Sequence, residues 1–543
     1  MDGQIKFVTV MFADIRGSTA MIAGLDPEES MARLEPAVRA MIETVNRYEG
    51  TVCQIMGDGI LALFGAPLAH EDHAVRACYA ALAIQRRAAE LGDEGLGIRV
   101  GLNSGEVLVR MRSTDLGMEY SAVGDAVHLA ARMEQMAGSG SVVMTAATHA
   151  LAEPYIDAEA LGMHPVKGLP APVEIYRLNG AVSPRSRWHA AAAQSLSEFT
   201  GRRDELHEMG ALLEQARNGT GQAIALIGEA GIGKSRLVHE LVSSEAAREC
   251  TVLFSGAVPY GQTIAYNAIA SLMRNFFGIG ESFSASEAFK RVHGRLLALD
   301  PGLEPLTRPL ASILIGGDVD AEWGALEPDA RRSQVLEACR RLVAFATQRR
   351  PLIVVIEDLH WIDGESEAVI GSMIESLAAM RVLLVLSYRP EYQPRWSGRS
   401  GFTQRRLQPL SATEAGEFLE RQIGNDASLR PIKDLLADQT GGNPLFLEQC
   451  VRSLAQEGVL VPAKSGGFVC SHAPERVQIP ASVNSLLAAR IDRLSPSCFT
   501  VLEIAAVIGA TVPLALLEQV AQLQSDELQT ALAEARQAEV LRR

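Results

Sequence analysis

The sequence predicts a multidomain α/β chain, and three observations carry that prediction. Short apolar, β-prone runs recur at residues 6–13, 223–227, 352–356 and 383–387, each leading into an acid, a glycine-rich loop or a basic residue. Helical periodicity takes over from about Pro480, where Val483, Leu486, Leu487, Ile491 and Leu494 fall at helical spacing. A length of 543 residues, 48% apolar but only 5% aromatic, suffices for three or four ordinary cores.

Residues 6–13, rich in Val, Phe and Met, read as a buried strand that ends at Asp14 and leaves its carboxylate at the strand end. Residues 51–55 and 60–64 read as the two arms of a hairpin whose turn carries Asp58-Gly59, because glycine tolerates positive φ. A hairpin tip beside a strand end can bring two carboxylates to metal-bridging distance. Either aspartate alone also suits a turn or a helix cap.

These motifs, Phe12-Ala13-Asp14-Ile15-Arg16-Gly17-Ser18-Thr19 and Met56-Gly57-Asp58-Gly59-Ile60-Leu61-Ala62-Leu63-Phe64-Gly65, resemble in content and order the class III nucleotidyl cyclases, over residues 1–180. The resemblance implies a ferredoxin-like α+β domain in which Asp14, Asp58 and the Ile15 backbone hold two Mg²⁺ or Mn²⁺ ions. One ion activates the ribose 3′-hydroxyl and the other neutralises the triphosphate and departing pyrophosphate. Arg99, in Ile98-Arg99-Val100-Gly101-Leu102-Asn103-Ser104-Gly105, aligns with the family's pyrophosphate arginine, and Lys167 with its late triphosphate lysine. The segment from Tyr120 to Met133 resembles the family's handover from strand to helix, where Arg132 matches the arginine that stabilises charge on the α-phosphate.

Three positions depart from the common adenylyl pattern. Gln54 stands for the base-reading lysine, Ser121 for aspartate or threonine, and His128 for the ribose-orienting asparagine. Gln and Ser each donate and accept, so the pair suits adenine and also tolerates guanine. The resemblance further implies a head-to-tail homodimer, with metal and base residues from one copy and His128 and Arg132 from the other. The expected activity is conversion of ATP to 3′,5′-cyclic AMP and pyrophosphate. The alternatives are a guanylate or dual-specificity cyclase, and a nucleotide-dependent switch whose cyclase fold is degenerate.

After a linker at 181–197 the chain changes character. Phe199-Thr200-Gly201-Arg202-Arg203-Asp204-Glu205-Leu206 resembles the entry motif of the AAA-like STAND ATPases, and residues 223–227 run into Gly228-Glu229-Ala230-Gly231-Ile232-Gly233-Lys234-Ser235 ahead of a helix. That is a P-loop in its strand-loop-helix context: Gly228, Gly231 and Gly233 let backbone N–H groups surround phosphates, Lys234 reaches the β- and γ-phosphates, and Ser235 ligates Mg²⁺ beside ATP. Residues 352–356 deliver Glu357-Asp358 in the manner of a Walker B element, and Arg389 follows the next strand as a γ-phosphate sensor. Gly442-Asn443-Pro444 resembles the nucleotide-contacting helix start of STAND proteins. The P-loop α/β domain is expected over 198–425, and a helical and winged-helix region over 426–543.

Composition narrows the partners. A net charge of −15 disfavours generic nucleic-acid or anionic-membrane binding, and residues 480–543 hold five arginines and no lysine against seven acids, without a DNA reader's basic stripe. Seven dispersed cysteines with no C-x-x-C pair fit reduced thiols, and no run approaches the roughly 18 apolar residues of a membrane span or forms a signal peptide. The expected setting is the cytoplasm, with no membrane insertion and an activating protein or small-molecule signal that the sequence does not name.

Overall fold

A computed structural model of the chain describes residues 3–18, 24–70, 72–91, 97–114, 117–167, 171–182, 199–258, 261–262, 264–280, 283–399, 401–463, 467–471, 491, 494–509, 512–521, 523–537 and 541. All but the first two residues of the expected linker lie outside them, as do Thr19, Pro480, Val483, Leu486 and Leu487. The chain divides into two compact units, Met1–Val182 with Ile479–Arg543, and Ser183–Gln478.

The first unit contains strands β1 (Gly3–Ile15), β2 (Thr51–Met56), β3 (Gly59–Phe64), β4 (Ile98–Thr114), β5 (Gly117–Val123), β6 (Val142–Thr145), β7 (Ile156–His164) and β8 (Val173–Ala181). They form one mixed sheet in the order β2-β3-β1-β4-β6-β8-β7, with β5 paired to β4. Strand β1 is antiparallel to both β3 and β4 and is covered on both faces from Val8 onward. Because strand side chains alternate, Val8 and Val10 pack with Leu61, Leu63, Val107 and Val109 and with Ala126 and Ala130 of the helix Asp125–Met136. Thr9 points the other way, to His73 of the helix His73–Glu90. Asp14 shares the parity of Val8 and Val10, so it leaves β1 on the side of the helix Asp125–Met136. The helix Pro27–Arg47 is started by Asp26, whose side chain accepts from the Glu29 N–H at 2.8 Å, with proline in its first turn.

In the second unit β9 (Gln222–Ile227), β10 (Thr251–Gly256), β11 (Leu352–Glu357), β12 (Val382–Tyr388) and β13 (Phe402–Arg406) form an all-parallel sheet in the order β10-β11-β12-β9-β13. Ala223, Ala225, Val354, Ile356, Leu384 and Leu386 enter the core on one face, and Ile224, Leu226, Ile353, Val355, Leu383 and Val385 on the other. Burial on both faces is why these strands read as unbroken apolar runs. The glycine loop, Glu357-Asp358 and Arg389 all lie at or just past carboxyl ends of parallel strands, where this architecture places ligands.

A smaller core, with Leu419, Ile423, Leu429, Ile432, Leu436 and Leu447, joins the helices Ala412–Ile423, Arg430–Thr440 and Pro444–Gln456 to the hairpin β14 (Leu460–Pro462) and β15 (Phe468–Cys470). The described residues after 494 form the helices Pro496–Ile508, Leu514–Val520 and Ser525–Gln537, packed through Cys498, Val501, Leu517, Leu528 and Leu532.

Candidate active site

Asp14, the penultimate residue of β1, lies opposite Gly59 on β3 and Arg99 on β4. The hairpin turn is Gly57-Asp58, and Gly57 takes the positive φ of 70°, one residue before the aspartate rather than at Gly59 as the sequence suggests. Gly59 answers a different demand: a Cβ there would lie 2.8 Å from the Ala13 carbonyl oxygen and 3.0 Å from Asp14 Oδ1. Its absence lets the hairpin tip seat against the end of β1, where the Ile15 N–H donates to the Asp58 carbonyl at 3.3 Å.

Burial raises the Asp14 pKa above the ordinary carboxylate range; the hydrogen bond from Arg99 opposes this and the negative charge of Asp58 adds to it. A divalent cation shared by Asp14 and Asp58 would offset the burial of Asp14 and the repulsion between the pair, so the donor set suits Mg²⁺ or Mn²⁺. Among the described residues no group of three or more His, Cys, Asp or Glu forms a metal-holding cluster. Remaining ligand positions would fall to backbone carbonyls such as that of Ile15, to water and to the nucleotide.

Arg99 is held by two acids. Its Nη2 donates to Asp14 Oδ2 at 2.5 Å and lies 2.9 Å from Glu134 Oε1. Glu134 reaches this place because alternate residues of β4 admit the helix Asp125–Met136 closely. A Cβ on Gly101 would sit 2.0 Å from the Glu134 nitrogen and one on Gly105 2.9 Å from Ala126 Cβ, while Asn103 Nδ2 donates to the Ala126 carbonyl at 3.0 Å. Burial raises the Glu134 pKa, Arg99 opposes the shift, and Asp14 and Asp58 reinforce it. Sequence reasoning missed Glu134; the available signal was the small-residue alternation Gly101-x-Asn103-x-Gly105, which marks a strand that a helix approaches.

In the second unit Gly231 and Gly233 adopt φ of 74° and 97°, and the Gly228 N–H donates to the Tyr388 carbonyl at 3.2 Å. Lys234 is buried and folds onto its own loop, donating to the Gly228 and Glu229 carbonyls at 2.7 and 2.9 Å. Burial lowers its pKa, and Asp358 leads the acids that oppose the shift. Asp358 stands at φ 59°, and its N–H donates to Ser387 Oγ at 3.2 Å. Ser235 is exposed at the start of the helix Lys234–Ser243, Glu357 ends β11, and the guanidinium of buried Arg389 lies 5.4 Å from the centre of the Trp361 ring.

Other residues grip this loop by its carbonyls. Arg202 Nη2 donates to Ile232 O at 2.8 Å and to Gln408 O at 2.7 Å, Asn443 Nδ2 donates to Ala230 O at 3.1 Å, and the Leu445 N–H donates to Gly231 O at 3.3 Å. None of these bonds uses an N–H of the loop, the group that phosphate needs. The two sequence motifs containing Arg202 and Asn443 thus meet on the glycine loop itself.

Residues 2–180 match the adenylate and guanylate cyclase catalytic domain family, and residues 198–386 match the AAA ATPase domain family. The chain joins a nucleotidyl cyclase domain to an AAA ATPase domain. It is 27% identical over 526 residues to an uncharacterized protein of Rhizobium meliloti, a match covering 95% of this chain and 50% of that one. It is 31% identical over 195 residues to adenylate cyclase 1 of the same bacterium, covering 34% of this chain and 29% of the relative. The chain therefore spans half or less of these relatives' length. Among solved structures, the adenylyl cyclase CyaB from P. aeruginosa is 29% identical, with 34% of this chain and 98% of that one covered and a TM-score of 0.31. The guanylate cyclase domain of RhGC from Catenaria anguillulae is 28% identical, with 33% and 100% covered and a TM-score of 0.31.

Within the cyclase domain, Gln54 on β2 and Ser121 on β5 are both exposed, on strands that pass close to each other. His128 is exposed and Arg132 partly buried, four residues apart on the helix Asp125–Met136; Arg132 Nη1 donates to Gln135 Oε1 at 2.7 Å. Lys167 is exposed in the connection from β7 to β8. Among the described residues, none of His128, Arg132 and Lys167 pairs with Asp14 or Asp58, which the hairpin seated on the end of β1 brings together.

Proposed function

We propose that this chain is an adenylate cyclase that converts ATP to 3′,5′-cyclic AMP and pyrophosphate, works as a homodimer, and is regulated through ATP bound by its AAA domain. The observation that carries the reading is the pair Asp14 and Asp58, on a strand end and a hairpin tip within the cyclase domain. Mg²⁺ or Mn²⁺ held by that pair would polarise the ribose 3′-hydroxyl and offset triphosphate charge. In this reading Gln54 and Ser121 hydrogen-bond the base, Lys167 offers its ammonium to the triphosphate, and His128 and Arg132 of a second copy complete the site. Before a metal binds, Arg99 is the cation that holds the Asp14 carboxylate, with Glu134 as its second partner.

Exposed Ile55 and Val123, 56% and 57% accessible and close to Gln54 and Ser121, support association through that face. The grip of Arg202, Asn443 and Leu445 on the P-loop carbonyls supports a STAND-like switch, because it leaves the loop's N–H side for phosphates while tying the loop to a neighbouring helix. Seven free cysteines favour a cytoplasmic setting, and no helix among the described residues is long and apolar enough to cross a membrane.

The test is cyclic AMP production by purified protein with Mn²⁺ and ATP over a range of protein concentrations, beside Asp58→Ala. Output that rises more steeply than protein concentration, and disappears in the variant while ATP still binds the P-loop, is the expected result. Undiminished output from Asp58→Ala removes the two-carboxylate reading. Because glutamine and serine can serve either purine, ATP and GTP turnover are compared on the same preparation; preference for GTP makes the enzyme a guanylate cyclase.

A further inference from the structure

We infer that Glu134 is a positioning residue for the metal site: it takes over the Arg99 guanidinium when the Asp14 carboxylate turns to a divalent cation. The inference rests on the reading of Asp14 and Asp58 as metal ligands.

One nitrogen, Arg99 Nη2, serves two carboxylates, at 2.5 Å from Asp14 Oδ2 and 2.9 Å from Glu134 Oε1. Only the first contact is a formed hydrogen bond. Glu134 Oε1 accepts none and Arg99 Nε donates none, although both atoms are buried. Buried polar atoms are nearly always matched, because leaving one unmatched forfeits its hydration without return. Here an unmatched donor and an unmatched acceptor belong to two residues already in contact. Turning the guanidinium away from Asp14 can pair them in the two-point arrangement that arginine and carboxylate favour.

Metal binding supplies the occasion. A cation that takes Asp14 Oδ2 competes with the guanidinium 2.5 Å from it, because like charges at such separations repel. An arginine displaced in that competition and left without a partner would oppose metal entry. Glu134 removes that opposition. Its backbone lies close against β4 because Gly101 has no Cβ, which would sit 2.0 Å from the Glu134 nitrogen, so the receiving carboxylate is in place before the metal arrives.

The experiment measures Mn²⁺ binding directly, by the electron paramagnetic resonance of free Mn²⁺, on nucleotide-free full-length protein, with Asp58→Ala defining the signal from sites elsewhere. For Glu134→Gln, which keeps shape and a hydrogen-bond acceptor but loses the charge, Mn²⁺ affinity falls about tenfold while kcat at saturating Mn²⁺ stays within about threefold of the parent. For Arg99→Gln, which removes the competing cation, Mn²⁺ affinity rises. Unchanged affinity in Glu134→Gln, or a lower or unchanged affinity in Arg99→Gln, overturns the inference, and either variant decides it if the other does not fold. Mn²⁺ binding that survives Asp58→Ala undiminished instead refutes the underlying metal assignment, so the two failures are distinct.

Discussion

Buried His73 is expected to make the cyclase domain sensitive to acid. Its Nδ1 lies 2.7 Å from Thr9 Oγ1, which lies 2.8 Å from Ser104 Oγ, itself 3.0 Å from Thr148 Oγ1, so a buried row of hydroxyls ends on the imidazole. Nε2 is buried without a hydrogen-bond partner, and the Phe7 ring meets the imidazole edge-on at 5.7 Å. Burial holds the His73 pKa down to about 4 from the ordinary 6.5, with Asp72 pulling it up and His70 pushing it further down. Between those two values the unfolded chain binds the proton and the folded one does not, so this contribution is complete above about pH 6.5 and is lost as pH falls toward 4. At about 1.4 kcal/mol for each tenfold change in proton affinity it amounts to about 3 kcal/mol, or roughly 6–12 °C in the unfolding temperature of a domain of this size. The assay is calorimetry of the full-length protein from pH 7 to 4.5, beside His73→Leu. That substitution removes the titrating ring but leaves Thr9 bonded to Ser104. Asp14 and Glu134, whose raised pKa values act with the opposite sign, are common to both proteins and cancel in the difference. A cyclase transition that falls as steeply with acid in His73→Leu as in the parent refutes the reasoning.

Two further substitutions probe the packing that holds each site. Gly101→Val drives a side chain into the helix Asp125–Met136 at Glu134 and is expected to cost about 1–3 kcal/mol or more and to lower cyclic nucleotide output; an unaltered calorimetric transition contradicts it. Asp363, buried beyond the Walker B strand, accepts from the backbone N–H groups of Ser366 and Tyr266 at 2.8 Å and of Asn267 at 3.0 Å, capping two helices at once. Asp363→Ala leaves three donors without that acceptor, and urea unfolding should show a loss of about 3 kcal/mol or more in the AAA domain.

The parallel strands of the AAA domain were plain in the sequence because burial on both faces leaves runs such as Leu352-Ile353-Val354-Val355-Ile356 without polar interruption. Asp14 and Asp58 were legible for a similar local reason, each closing or linking a β-prone run. What lay hidden depends on contacts between distant segments. Gly59 shows in the sequence as a turn glycine, yet its requirement comes from Ala13 and Asp14 across the hairpin. Glu134 reads as one more helical acid until Gly101 and Gly105 are placed against its helix. Arg99 matched a phosphate-binding pattern, whereas the fold sets it between two carboxylates that no local pattern joins to it. Arg202 and Asn443 stood in recognised motifs, but only the fold shows that both bind carbonyls of the loop between them in sequence.

Gly231 gives that loop a second sense. Its φ of 74° suits a phosphate-binding turn, but a Cβ there would also lie 2.5 Å from Leu445 Cβ and 2.9 Å from Asn443 Oδ1. The bare backbone at this point is a seat, shaped as much for the first turn of the helix Pro444–Gln456 as for a nucleotide. Replacing Gly231 would therefore unseat a helix that begins more than two hundred residues downstream, and lost ATP binding in such a variant would report on that joint as well as on phosphate. With the Leu445 N–H resting on the Gly231 carbonyl, the loop and the helix Pro444–Gln456 meet backbone to backbone, with no side chain between.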